Sequence, residues 1–459
     1  MPGKHSSASI EQVLKYSEEH EEAFLQDITT LCNQKSISKT DEGTREAAEL
    51  VKGFFEDLGA EVHISDPKSP RPVIYAKIRG EKEMSVLLYN HYDTQPAGDL
   101  SLWKTDPFVT TVLDGRIIVR GISDNKGDLM SRIHAVRAFL ETRGRLPVTV
   151  KFITEGEEEI GSPNLPAYFA AHAKELKSDV ALWEGATIDA AGRPSLSLGT
   201  KGRLTIRLTV ENQNWPLHTL YGALIENPAW RLVWALATLV APDDSVLIPG
   251  FHDAVQALEP AAEELVRALP FDEQELRRTF GVSRFVGGRS GEALKRHFVL
   301  SPFLTINALE AGTEDVVPAK ATAIVAFGLA PGQDPDDIYE KFCSHLRKSG
   351  FADVSLEKLA ALPPYRSPLA VNSPLVSLAR QALQRAYRCE PRVFPYSAGA
   401  SPCYLLDRVS TPCLDGIGVD WEEDNVHGPN ENIRLADYMQ GTKALCFFLD
   451  LCGTGMAGK

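Results

Sequence analysis

Cysteine is sparse in this chain. Seven cysteines (Cys32, Cys343, Cys389, Cys403, Cys413, Cys446 and Cys452) are scattered over 459 residues, and none forms a CxxC pair. That spacing excludes a disulfide scaffold and a cysteine-rich zinc finger. It fits a reducing compartment, so a cytoplasmic location is expected. No run approaches the roughly 18 apolar residues that a membrane span needs, and Met1–His20 contains no apolar leader, so no membrane partner is expected. Basic charge is also short: 48 Lys and Arg against 62 Asp and Glu give a net −14, which argues against nucleic acid as the main partner. The sequence has no HExxH, no P-loop, no GxGxxG after a strand and no GxSxG elbow. Those absences remove zincin, nucleotide-binding and serine-hydrolase readings.

Apolar residues make up 43% and charged residues 24%, ordinary for a soluble globular protein. At roughly 150 residues per domain the length suggests two or three domains. Residues 10–58 read as largely helical, with Phe24 and Ile28 on one face and Ala47, Val51, Phe54 and Phe55 on another. Strands are expected at 73–78, 86–89, 148–154 and 180–183, and helices at 126–142 and 166–176. This alternation predicts an α/β layered sheet. The pattern changes near Gly199. Leu204, Ile206, Leu208 and Val210 alternate as one face of a half-buried strand, and Asn227-Pro228 opens a helix running to about 241. A second such strand spans 322–329, a helix 336–348 and a last strand 354–359, before Pro363-Pro364 punctuates the chain. We therefore expect a catalytic domain from residues 1–199 and 364–459, with a mostly parallel mixed sheet flanked by helices. Residues 200–363 would form an inserted α+β domain.

Four clusters place metal-type ligands where strands should end. In Asn90-His91-Tyr92-Asp93, a strand delivers His91, and Asp93 two residues on can point the same way and orient the imidazole. In Arg120-Gly121-Ile122-Ser123-Asp124-Asn125-Lys126-Gly127, two glycines frame an Asp just before a helix; alone this reads as a helix cap rather than a metal ligand. In Glu155-Gly156-Glu157-Glu158-Glu159, four glutamates fall within five residues directly after an apolar strand. A divalent cation would relieve their repulsion, with one Glu ligating and its neighbour serving as general base. The fourth cluster, Asp424-Asn425-Val426-His427-Gly428-Pro429-Asn430-Glu431, sets a His in a polar turn. Together these supply nitrogen and oxygen ligands without sulfur. Such a set suits two divalent metal ions bridged by a carboxylate, zinc first, with manganese or cobalt as alternatives.

The pattern resembles the zinc-dependent family of carnosine-type dipeptidases, aminoacylases, carboxypeptidase G and succinyl-diaminopimelate desuccinylase. The likeness runs from about residue 20 to 450. It rests on His91-x-Asp93, Trp103, Pro107-Phe108, Asp114-Gly115, Arg120-Gly121, Asp124-x-Lys126-Gly127, Glu155-Gly156-x-Glu158-Glu159-x-Gly161-Ser162, and His427 with Pro429-Asn430-Glu431. The resemblance implies His91 on one metal, His427 on the other, Asp124 bridging both, Glu159 as a ligand, Glu158 as general base and Asp93 as supporting carboxylate. It implies a further acidic ligand after the strand 180–183, which selects Glu184 rather than Asp179. It implies a cis peptide after Asp124. It also implies a lid that dimerises through the strand 204–210 and the helix from Pro228, giving a homodimer. His218, in Pro216-Leu217-His218-Thr219, would reach the partner's site and polarise the scissile carbonyl. His218 and Asn430 are the expected substrate contacts.

Two departures stand out. The family's lid strand carries Phe-Arg-Leu-x-Pro, whose Arg binds the substrate carboxylate; here the run is Phe327-Gly328-Leu329-Ala330-Pro331. Its Gly-Gly-Ser loop reads Ala398-Gly399-Ala400-Ser401-Pro402. The expectation is a di-metal hydrolase that cleaves an amide or peptide C–N bond in a small molecule by metal-activated water, with atypical specificity. Arg284, Arg289 and Lys320 are conceivable substitutes for the lost cation. The alternatives are a deacylase or deaminating hydrolase of a carboxylate-poor compound, or a non-catalytic binding protein retaining the fold.

Overall fold

The computed structural model describes residues 8–185 and 187–455. The chain divides into two compact units, each considered on its own. One comprises residues 1–198, 367–393 and 405–459, and the other residues 199–366 and 394–404. Residues 394–404, which the sequence reading kept with the catalytic segment, therefore group with the second unit.

The first unit is built on strands β1 (Glu61–Ile64), β2 (Ile74–Ile78), β3 (Gly80–His91), β4 (Leu146–Glu155) and β5 (Val180–Leu182), with a late strand Cys413–Leu414. Their order is β1-β2-β4-β3-β5-Cys413–Leu414. β3 runs parallel to β4 and β5, and β5 parallel to Cys413–Leu414, whereas β1 and β2 join antiparallel. Val86–His91 is buried on both faces, as expected where helices cover a parallel centre. The flanking helices include Thr44–Asp57, Gly127–Arg143 and Leu435–Gly455. Within this layer half-buried Asp27 and buried His134 and Tyr438 form a relay: His134 Nε2 lies 3.1 Å from Asp27 Oδ2 and Nδ1 lies 2.5 Å from the Tyr438 hydroxyl. Burial holds the His134 pKa down to about 4, so its ring is neutral and takes Phe24 as a stacked neighbour.

The parallel register brings strand ends together. His91 pairs with Glu155 across β3 and β4, and Leu88 with Leu182 across β3 and β5. Ligands bind beyond the carboxyl ends of parallel strands in such sheets, and all four sequence clusters lie near these ends or in the loops beside them.

The second unit holds an antiparallel sheet of β6 (Gly202–Glu211), β7 (Phe303–Ala311), β8 (Lys320–Leu329) and β9 (Ser355–Leu362), in the order β7-β8-β6-β9. Leu204, Ile206, Leu208 and Val210 face Leu232 and Leu236 of the helix Pro228–Ala237 and Ile338, Phe342 and Leu346 of the helix Pro335–Lys348. Both helices start at an Asx–Pro step, with Asn227 accepting the Ala229 N–H and Asp334 accepting those of Asp336 and Asp337. β6 is hydrogen-bonded on both sides, by β8 and β9, so it could join a two-fold interface through a face and not through an edge. The edges of the sheet are β7 and β9. No helix among the described residues is long and apolar enough to cross a membrane.

Candidate metal centre

Asp124 is the centre of the site. The turn that carries it leaves helical geometry at Asp124 and Asn125, and the peptide between them is cis. Its two carboxylate oxygens face two imidazoles: Oδ1 lies 2.7 Å from His91 Nε2, and Oδ2 lies 3.0 Å from His427 Nε2. His427 Nε2 is also 3.1 Å from Glu159 Oε2. One ligand atom each from Asp124, Glu159 and His427 fit within 4.8 Å of one another. A carboxylate offering one oxygen to each of two histidines is the arrangement a bridging ligand requires.

Glu184 follows β5 and faces the same centre: its pKa is pushed well above the ordinary carboxylate value by burial first, then by the charges of Glu158 and Asp124. Its Oε1 is buried without a hydrogen-bond partner, an orphaned acceptor suited to a cation. Asp179, by contrast, sits at the start of β5, where its carboxylate accepts from the backbone N–H and hydroxyl of Ser85. The residues present therefore fit two divalent ions.

The histidines carry the same message. His91 is fully buried, which disfavours its charged form, yet Asp124 and Asp93 outweigh that and raise its pKa well above the ordinary value. His427 rises to about 10 through its bonds to Asp124 and Glu159. The surrounding anions demand positive charge at these positions.

Asp93, fully buried, has two tasks. Its backbone carbonyl lies 3.1 Å and its Oδ1 3.3 Å from His91 Nδ1, and together they orient the ring. It also accepts the backbone N–H groups of Glu158 (3.3 Å) and Glu159 (3.1 Å), fixing the turn that bears both glutamates. The Glu158 carboxyl is raised to about 7, chiefly by burial, with Asp124 and Glu159 adding to it and His91 opposing. That value lies near the operating range of a general base.

Two residues of the quoted motifs, Glu431 and Arg120, had no role from the sequence, and Gln95 lay outside those motifs. Glu431 is buried; its Oε1 accepts the N–H groups of Ser123 and Asp124, and its Oε2 accepts Gly121 N–H and Arg120 Nη1 at 2.6 Å. Arg120 Nη2 donates to the carbonyls of His427 and Gly428. This buried pair thus fixes the Asp124 turn and the His427 loop together, and His427 and Asn430 are both left-handed, with φ 60°. Gln95 donates from Nε2 to Glu159 Oε2 at 2.7 Å. Asn430 spends its amide on backbone: Oδ1 accepts Lys104 N–H and Nδ2 donates to the Leu102 carbonyl, so its visible bonds anchor a loop. A cavity of about 440 Å³ opens beside Asp124 and Glu184, lined also by Ser123, Asp420, Trp421 and Asp424. His218 belongs to the second unit and is exposed, its Nδ1 accepting the Leu220 N–H.

The family description "Peptidase family M20/M25/M40" matches residues 87–450. Beta-Ala-His dipeptidase of Rattus norvegicus is 26% identical, covering 97% of this chain and 96% of its own. Cys-Gly metallodipeptidase dug1 of Schizosaccharomyces pombe is 27% identical over 88% of this chain and 89% of its own. Among solved structures, the M20 family metallo-carboxypeptidase Sso-CP2 from Sulfolobus solfataricus superposes with a TM-score of 0.88 at 35% identity, covering 94% of this chain and 99% of that one. Human carnosine dipeptidase 1 gives 0.83 at 25% identity, covering 96% and 99%.

Proposed function

Since the chain belongs to peptidase family M20/M25/M40 and is a metal-dependent hydrolase of C–N bonds, we propose that it hydrolyses small dipeptide-like amides at the centre built on Asp124. The observation that carries this reading is the Asp124 carboxylate, with one oxygen toward His91 and the other toward His427. His91 and Glu184 would hold one ion, His427 and Glu159 the other, and Asp124 would bridge them. Zinc fits this nitrogen and oxygen set best, with manganese or cobalt next. When bound, the ions supply the positive charge that water deprotonation and a developing oxyanion both require. Glu158 takes the proton from water and returns it to the leaving amine. Asp93 keeps His91 in one tautomer and holds the Glu158 turn. In the proposed homodimer, His218 would polarise the scissile carbonyl at the partner's site.

The specificity differs from that of relatives bearing the lid arginine. Gly328 supplies no cation, and two of the conceivable replacements are engaged: Arg289 pairs with Asp244 and Lys320 with Glu211. A substrate lacking a free C-terminal carboxylate, or bearing it elsewhere, is therefore preferred. A homodimer would form through the lid. Its helix Pro228–Ala237 exposes Trp230 (58%) and Trp234 (50%), stacked 5.9 Å apart, and the free edges β7 and β9 are candidate pairing strands. Trp230→Glu with Trp234→Glu should shift such a dimer to monomer in sedimentation.

Metal analysis with a Glu158→Ala comparison tests the central claim. The variant should keep two metal equivalents and lose about 10²–10⁴-fold in turnover across dipeptides, N-acyl amino acids and amidated dipeptides. Equal activity in Glu158→Ala would remove the proposed base, and a metal-free, inactive wild type would favour a binding protein instead.

A further inference from the structure

Two glutamates of the cluster are engaged away from the histidines: Glu157, which pairs with Arg71 and Asn164, and Glu155, which is 1% exposed. Two hydroxyl groups converge on the same oxygen: Tyr89 donates to Oε1 at 2.6 Å and Ser162 at 2.8 Å. Ser162 closes the far end of the turn that carries Glu158 and Glu159. It does so in a left-handed conformation (φ 51°), with its N–H bonded to the Glu157 carbonyl. Tyr89 leads the other way. Its ring stacks on Trp183 with centroids 3.7 Å apart and planes 8° apart, and Trp183 is the residue before Glu184. Arg132 fixes that end too, donating to the carbonyls of Trp183 and Glu184. One buried carboxyl oxygen is thus the common anchor of two segments that deliver acidic groups to the centre.

We propose that Glu155 is a positioning residue that sets the spacing between the Glu158–Glu159 turn and Glu184, and so the metal affinity of the centre, without touching metal or substrate. It does on one side what Glu431 does on the other for Asp124 and His427. The inference rests on the two-metal reading above. Burial pushes the Glu155 carboxyl up to about 8, so Gln is its closest isostere. Glu155 Oε2 has no partner, and the positioning is carried by Oε1 alone.

The test is chelator competition on the zinc-loaded full chain, read beside the thermal midpoint of the metal-free chain. Partners that orient metal ligands typically cost ten- to a hundredfold in metal affinity when removed. Ser162→Ala and Glu155→Leu should therefore each weaken zinc retention by about tenfold or more, and Glu155→Gln should restore it to within about threefold of wild type. Should Glu155→Leu fail to fold, Ser162→Ala and Tyr89→Phe carry the measurement, since each deletes one hydroxyl. Unchanged zinc retention in these variants, with only a lowered thermal midpoint, would make Glu155 a packing residue and overturn the proposal. A wild type that binds no zinc, manganese or cobalt overturns the two-metal reading itself, and this inference with it.

Discussion

Arginine placed at 328 alone should not give this chain a carboxylate-binding site, because another side chain occupies the space. A Cβ on Gly328 would lie 2.2 Å from Cε1 of Phe303 and 2.7 Å from its Cδ1 and Cζ. Phe303 is the direct cross-strand partner of Gly328 on β7, so its backbone is held in place and its ring must swing outward. Overpacking of this kind costs about 1–3 kcal/mol. That cost falls on folding; the charge-assisted contact to a substrate carboxylate, worth about 1.5–3 kcal/mol, needs an Arg placed to make it, and one crowded by the Phe303 ring is not, so Gly328→Arg should gain almost nothing in specificity. Joined to Phe303→Ala, which clears the site, the same Arg should raise the preference for a free dipeptide over its C-terminal amide by about ten- to a hundredfold. The assay is the ratio of kcat/KM for the two substrates in wild type, both single variants and the double variant, with thermal midpoints to register overpacking. A full gain from Gly328→Arg alone at unchanged Tm would show that Phe303 does not guard the position. No gain in the double variant would show that this strand position never meets the substrate's carboxyl end.

Removing Arg120 leaves Glu431 buried without its ion-pair partner and two carbonyls without a donor, so Arg120→Met should lose about 3–5 kcal/mol of stability by denaturant titration; a loss below about 1 kcal/mol would contradict it. His134 sets an acid limit. Its folded pKa of about 4 lies below the unfolded value, so its contribution is complete above about pH 6.5 and is lost as pH falls toward 4. The full difference is about 3 kcal/mol. His134→Gln should flatten the stability profile in that window, and an unchanged slope would refute the assignment.

What could be read from the sequence follows from what each element buries. β6 was legible because one face meets a core and the other does not, and the helix from Pro228 because Asn227 and the proline mark its start. β7 was missed: along Phe303–Ala311 only Leu304 is buried, so no alternation appears. The helix Glu273–Phe280, with no buried residue, was invisible for the same reason. The order of strands is not written in any one of them, which is why the place of β6 between β8 and β9 was not legible. At the site, His91, Asp124, Glu158, Glu159 and His427 stood out because ligand chemistry limits them to a few residue types. The tasks of Glu431, Arg120 and Asn430 did not, because they act through backbone N–H and carbonyl groups, and those partners are anonymous in a sequence.

The Arg120–Glu431 pair joins positions 311 residues apart, with the whole of residues 199–366 threaded between them. On a ribosome, the second unit's main segment is a single continuous stretch and is complete long before His427 emerges. The first unit must wait with five of its six strands and four of its five expected ligands already made and only Cys413–Leu414 and His427 still to come. Domains generally fold in the order they are made; here the unit that holds the centre is the later of the two to be completed in sequence. A nascent chain stalled between residues 184 and 427 would present His91, Asp124, Glu159 and Glu184 as a chelating arm that still lacks His427.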